Sequence, residues 1–103
     1  MGENCSANSR LIVQENIKDA LLDKMLAHLR DWKTGDPLDP SNYLGSLVDV
    51  EHFKKVCSYL ENDNIITGGV TESPCYVLPT IFDKVDPNSK LAQEEVFGPI
   101  LSV

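Results

Sequence analysis

Positive charge is scarce in this chain. Nine Lys and Arg residues stand against sixteen Asp and Glu, giving a formal net charge of −7 and a pI near 4.6. Binding to a phosphate backbone draws on clustered Lys and Arg, and no such cluster is present, so the balance argues against a nucleic-acid partner. The acidity serves solubility. Long apolar runs are also missing, which leaves no membrane-spanning segment, and the first residues lack the basic and apolar regions of a signal peptide. Cysteine is limited to Cys5, Cys57 and Cys75, an odd set without CxxC or Cys/His spacing. That set supports neither a disulfide framework nor a metal site. These absences together point to a cytoplasmic, reducing setting. No G-x-G-x-x-G run occurs, and Gly68-Gly69 is too short to cradle phosphates. Internal repeats and low-complexity stretches are absent as well.

What is present is a chain of 103 residues, enough for one domain or part of one, with 42% hydrophobic and 24% charged residues. Residues Arg10 to Gln14 (RLIVQ) have the β-branched apolar density of a short buried strand. Asn16 then stands as an N-cap, with Asp19 in the first turn to complement the helix dipole. Ile17, Leu21, Leu22, Met25, Leu26, Leu29 and Trp32 recur at helical spacing and predict an amphipathic helix from Ile17 to Trp32, packed against a sheet. GDPLDPSN, Gly35 to Asn42, is rich in turn formers and reads as an ordered surface connection. Asp49 is the next N-cap, and Val50, Phe53, Val56, Cys57 and Leu60 mark one face of a second helix.

Further along, Asn64 to Thr67 predicts a short strand stopped by Gly68-Gly69. Cys75 to Phe82 (CYVLPTIF) predicts another, in which Pro79 requires an edge or a bulge. Asn88 to Glu94 reads as a short helix or turn, and Pro99 to Val103 as a final strand. Strands interleaved with helices give an α/β class: a small open sheet of four short strands with two main helices.

Taken singly, most chemistry-bearing residues have bland readings. A lone free cysteine such as Cys5 is usually a small buried hydrophobe. Glu95 offers nothing that adjacent Glu94 does not, Phe97 reads as core, and Cys57 lies on an apolar helical stripe. Arg10 suits orienting local backbone or pairing with a carboxylate. His28 and His52 fall outside the apolar stripes and read as surface residues.

Four stretches in order change that reading: GENCSANSR (Gly2 to Arg10), GDPLD (Gly35 to Asp39), PTIF (Pro79 to Phe82) and EEVFGPI (Glu94 to Ile100). Together they closely resemble the NAD(P)-dependent aldehyde dehydrogenase superfamily, over essentially the whole chain. The family pattern Gly-Gln-x-Cys-x-Ala-x-x-Arg falls on Gly2, Cys5, Ala7 and Arg10. The resemblance implies that Cys5 is the catalytic nucleophile, set in a substrate tunnel, whose thiolate attacks the aldehyde carbon. It also implies that a backbone N–H at Cys5 helps hold the oxyanion. The family's Glu-x-Phe-Gly-Pro falls on Glu95, Phe97, Gly98 and Pro99. It implies a glutamate that accepts from the nicotinamide ribose hydroxyls and a phenylalanine beside the ring.

Departures accompany the match. Glu3 stands where the family usually has Gln, and a carboxylate close to the thiol would disfavour its thiolate. Ser46 follows Gly45 where proline is frequent, and the segment from Tyr59 to Tyr76 is several residues shorter than usual. By this resemblance residues 1–103 are a single partial catalytic domain, without the Rossmann-like cofactor domain, the glutamate general base or the oxyanion asparagine. The family's cofactor is NAD or NADP, yet the expectation is that this chain alone binds none and turns over no aldehyde. The alternative reading is a non-catalytic interaction module that forms a homo-oligomer through exposed apolar faces.

Overall fold

A computed structural model describes residues 1–61 and 64–103. Three helices, α1 (Glu15–Leu29), α2 (Val50–Cys57) and α3 (Lys90–Gln93), accompany three strands, β1 (Ile65–Val70), β2 (Val77–Phe82) and β3 (Ile100–Ser102). The strand order is β1-β2-β3, with β1 antiparallel and β3 parallel to the central β2. The α/β class and the small open sheet are as expected, but among the described residues the sheet has three strands rather than four.

The missing strand is Arg10 to Gln14. It contributes a parallel bridge from Arg10 to Ser102 and the bond Leu11 N–H to Ser102 O at 2.8 Å, while Ser9, just before it, accepts from Ser102 N–H at 3.0 Å. Ile12 is then fully exposed, so the run that reads as buried meets no partner face among the described residues. β1 also departs from expectation, because it continues through Gly68-Gly69 instead of stopping there. A side chain at Gly68, whose φ is +98°, would overlap Thr80 Oγ1 and the Pro79 carbonyl; glycine lets the strands meet.

Pro79 lies in the central strand, not at an edge, and the bulge alternative is the one realised. The register jumps from Thr67↔Ile81 to Gly69↔Leu78, leaving Pro79 and Thr80 inside the irregularity. The Thr80 side chain stands in for the missing ladder bond: its hydroxyl accepts from Gly69 N–H at 2.9 Å and donates to Leu78 O at 2.7 Å. On the other side Thr80 N–H donates to Pro99 O at 2.8 Å.

The core lies between α2 and the sheet. Leu47, Val56, Tyr59, Val77, Phe82, Leu91, Val96 and Ile100 form one buried cluster, with Phe53, Leu60, Ile65 and Val85 packed on it. α2 begins at the expected cap, Asp49, whose carboxylate accepts from His52 N–H at 2.7 Å, and it stops at Cys57, before Leu60. α1 begins at Glu15 after Gln14, not at an Asn16 cap, and Gln14 makes no side-chain cap bond. Its stripe is covered incompletely: Leu22 is buried, whereas Ile17 and Trp32 are exposed. The Gly35–Asn42 connection is ordered as expected, closed by Gly35 N–H to Leu44 O at 2.9 Å and by aspartate turns at Asp36 and Asp39. Bonds from Ser41 hold the Asp39 carboxyl below its ordinary range. α3, capped by Ser89, and β3 occupy the predicted places. Part of the Tyr59–Tyr76 stretch, residues 62–63, lies outside the described residues.

Candidate functional site

The fold brings the two ends of the sequence together. Gly2 sits against Gly98 so closely that a side chain there would overlap the Gly98 carbonyl, and its φ of +76° suits glycine. Arg10 reaches from the same segment to donate through Nη1 to Ala92 O at 3.0 Å, so its role here is to fix backbone. The bridge from Arg10 to Ser102 closes the other flank. The segment holding Cys5 and the loop holding Glu95 and Phe97 are therefore neighbours.

Cys5 is exposed, at the corner of a turn closed by Ala7 N–H to Asn4 O at 2.9 Å. The Asn4 side chain tightens that turn by accepting from Ser6 N–H at 3.0 Å and Ser6 Oγ at 2.9 Å. The thiol is thus outside the core. A groove of about 460 Å³ runs beside this segment, lined by Gly2, Met25, Leu29, Trp32, Pro99 and Leu101 among others, and Cys5 is not part of its wall. The expected tunnel around the thiol is not formed by that groove. Cys57 is half-buried on α2, and burial pushes its thiol pKa upward, which suits packing. Cys75, left without a role, is half-buried with a φ of +67°.

The structure separates the two adjacent carboxylates that the sequence leaves equivalent. Glu94 is engaged: Tyr59 donates its hydroxyl to Glu94 Oε2 at 2.7 Å, and this bond, with burial, pushes the phenol up to about 12. Lys90 lies over the Tyr59 ring, 5.1 Å from its centroid. Glu95 is exposed, and among the described residues nothing bonds its carboxylate; only its backbone carbonyl is taken, by Lys55 Nζ at 3.3 Å. A carboxylate with free lone pairs is suited to accept from a vicinal diol, so the chemistry of Glu95 fits a ribose. Phe97 follows in the left-handed region at φ +62°, an unfavourable place for an aromatic residue that its surroundings must enforce. Behind it Gly98 packs on the Val56 side chain.

His52 corrects the reading of a surface residue. Its side chain is 16% exposed; Nε2 lies 2.6 Å from Phe97 O and 3.5 Å from Glu3 Oε1. The imidazole meets the Phe97 ring edge-on at 6.2 Å. Glu3 itself accepts from Val48 N–H at 3.1 Å, so the unusual carboxylate is engaged by the residue that precedes the Asp49 cap. Helical spacing could not have found His52, because Phe97 lies 45 residues away along the chain and Glu3 is still more distant. His28 is exposed on α1, as expected.

The fold thus sets a solvent-facing thiol on one chain segment near a neighbouring loop that carries a carboxylate, unpaired among the described residues, and an aromatic residue at positive φ. The chain belongs to the aldehyde dehydrogenase family, whose pattern it matches along residues 1–103. It is 52% identical over 108 aligned positions to aminoacetaldehyde dehydrogenase from Pseudomonas aeruginosa, covering 100% of this chain and 22% of that protein. Among solved structures it superposes on gamma-glutamyl-gamma-aminobutyraldehyde dehydrogenase from Burkholderia cenocepacia with a TM-score of 0.90 at 43% identity, covering 99% and 22% of the two chains. It also superposes on an indole-3-acetaldehyde dehydrogenase variant from P. syringae in complex with NAD+ and IAA, with a TM-score of 0.88 at 40% identity, covering 98% and 22%. The chain thus spans 22% of the length of each of these relatives.

Proposed function

We propose that residues 1–103 are a partial catalytic domain supplying the nucleophile and the ribose-binding carboxylate for NAD(P)-linked oxidation of an aldehyde to a carboxylic acid. Cys5, as thiolate, forms the S–C bond to the aldehyde carbon, and the carbonyl oxygen becomes the oxyanion of a thiohemiacetal. Loss of hydride from that carbon leaves a thioester on Cys5. Water cleaves the thioester, releasing the acid and restoring the thiol. The cofactor, when bound, supplies the hydride acceptor. Glu95 accepts from its ribose hydroxyls, and Phe97 limits where the ring lies. The observation that carries this reading is the seating of Gly2 on Gly98, which places the thiol segment beside the Glu95–Phe97 loop.

The remaining groups the reaction needs, a general base and an oxyanion side chain, belong to other parts of the subunit in this reading. Each is worth orders of magnitude in rate. The purified chain is therefore expected to make no NADH from aldehyde and NAD. Exchanged for the matching segment of the P. aeruginosa relative, it is expected to give NADH production that Cys5→Ala abolishes. A folded chimera that is inactive, or that stays active with Cys5→Ala, would overturn the assignment.

The exposed apolar surface favours a second property, self-association. Ile12 is 100%, Leu38 89% and Val48 76% exposed. A dimer or larger species by light scattering after gel filtration is the expected result, and a clean monomer at high concentration contradicts it. The cytoplasm is the proposed compartment, on the strength of three free cysteines. Among the described residues no helix is long and apolar enough to cross a membrane.

A further inference from the structure

We propose that His52 is a positioning residue that joins the nucleophile segment to the cofactor-facing loop and holds Phe97 in its left-handed conformation. Three contacts meet on this one side chain. Its Nε2 is 2.6 Å from the Phe97 carbonyl, an oxygen that can only accept, so Nε2 carries a proton and donates. The same nitrogen faces Glu3 Oε1 at 3.5 Å, two residues from Cys5. The ring edge packs against the Phe97 side chain.

The platform under the imidazole is rigid. His52 occupies the first turn of α2, and its own N–H is bound by the Asp49 cap at 2.7 Å. One turn further on, Val56 is fully buried and carries Gly98. α2 therefore fixes both residues of the Phe97-Gly98 kink, by a hydrogen bond to the first and packing against the second. A non-glycine residue at positive φ costs free energy and relaxes unless something outside the loop holds it. His52 is the side chain that bonds the Phe97 carbonyl among the described residues. Glu3, bonded to Val48 N–H, is held beside the same Nε2. Movement of the thiol segment and movement of the cofactor-facing loop are thus restrained by one group. The functional weight of this strut rests on the roles proposed above for Cys5 and Phe97, but the strut itself is a structural statement and its test needs no turnover.

The test is NMR on the full chain, comparing the wild type with His52→Gln, which keeps a donor near Nε2, and His52→Leu, which keeps bulk alone. In the wild type, long-range proton–nitrogen correlation is expected to show the Nε2–H tautomer for His52. Phe97 is expected to give the strong intraresidue amide-to-Hα cross-peak of a positive φ. In His52→Leu that cross-peak is expected to weaken, and the Val48 amide to exchange up to about tenfold faster as Glu3 loses the imidazole beside it. In His52→Gln both are expected to stay near wild-type values. An Nδ1–H tautomer in the wild type, or a Phe97 conformation and Val48 exchange rate unchanged in His52→Leu, would overturn the proposal. Should His52→Leu fail to fold, the wild-type tautomer and the Gln variant still decide it. Loss of the chimera's activity would bear on the reaction and leave these signals untouched.

Discussion

The two longer helices of this chain are built to opposite plans. α1 has fifteen residues and a regular apolar stripe, yet Gln14 gives it no side-chain cap and Leu22 is its one buried residue. α2 has eight residues, an aspartate cap, and in Val56 a side chain with no exposure at all. A side-chain tie from α1 to the sheet side is the Lys18–Asp83 pair at 2.8 Å, with the two side chains 20% and 18% exposed. Periodicity reports that a helix has an apolar face; it does not report whether the surface that covers the face lies within the same stretch of chain. α2 is stabilised by packing in the core, whereas much of α1's apolar face is left half covered.

Substitutions can sharpen the contrast. The largest effect is expected under α2: Phe82→Ala, at a site with no exposure, should cost about 3–5 kcal/mol in urea unfolding, while Ile17→Ala on α1 should cost under about 0.5 kcal/mol. Equal losses would break the comparison.

Alkali comes next. The folded-state pKa of Tyr59 is raised to about 12 by its bond to Glu94, so the associated stability is present below pH 10, where both states hold the proton. It is lost as pH rises from 10 towards about 12, for a total of about 2 kcal/mol. Absorbance at 295 nm should show one of the three phenols titrating near 12, and Tyr59→Phe should remove that phase and the alkaline loss. The α1 tie responds at both extremes. Asp83 is held below its ordinary value by its bond to Lys18, so its contribution is present above pH 3.8 and fades in stronger acid. Lys18, raised by the same bond, keeps its contribution up to pH 10.5 and loses it at higher pH.

The caps give smaller effects. Asp49→Ala should destabilise by about 1 kcal/mol, whereas Gln14→Asp should stabilise by about 0.5 kcal/mol, because Gln14 already has cap-like backbone angles and lacks only the acceptor. Thermal melts of the two variants moving in the same direction would contradict the capping difference.

Legibility in the sequence followed the range of each interaction. Asp49 and the turn-rich Gly35–Asn42 connection act over a few residues and were read directly, whereas the equally local Asn16 cap was not realised, because α1 starts one residue earlier, at Glu15. The Pro79 bulge was half legible: proline demanded an edge or a bulge, but the choice depended on β3 pairing from the far end of the chain. Ile12 and Gly68-Gly69 misled for a related reason. Apolar density cannot show that the covering face is absent, and glycine reads as a stop unless its partner Thr80 is known. At the site, Cys5, Glu95 and Phe97 were identified from motif resemblance, not from physics. The engagement of Glu94 by Tyr59 and of Phe97 by His52 came from the fold alone, across separations of 35 and 45 residues.

The proposed roles of Cys5, Glu95 and Phe97 require the Cys5 segment and the Glu95–Phe97 loop to be in contact within one folded unit. Nuclear Overhauser measurements on the labelled full chain test this most directly. Cross-peaks from Gly2 to Gly98 and Pro99, and from the His52 ring to Phe97, are the predicted result. A folded chain in which both sets are missing would contradict it.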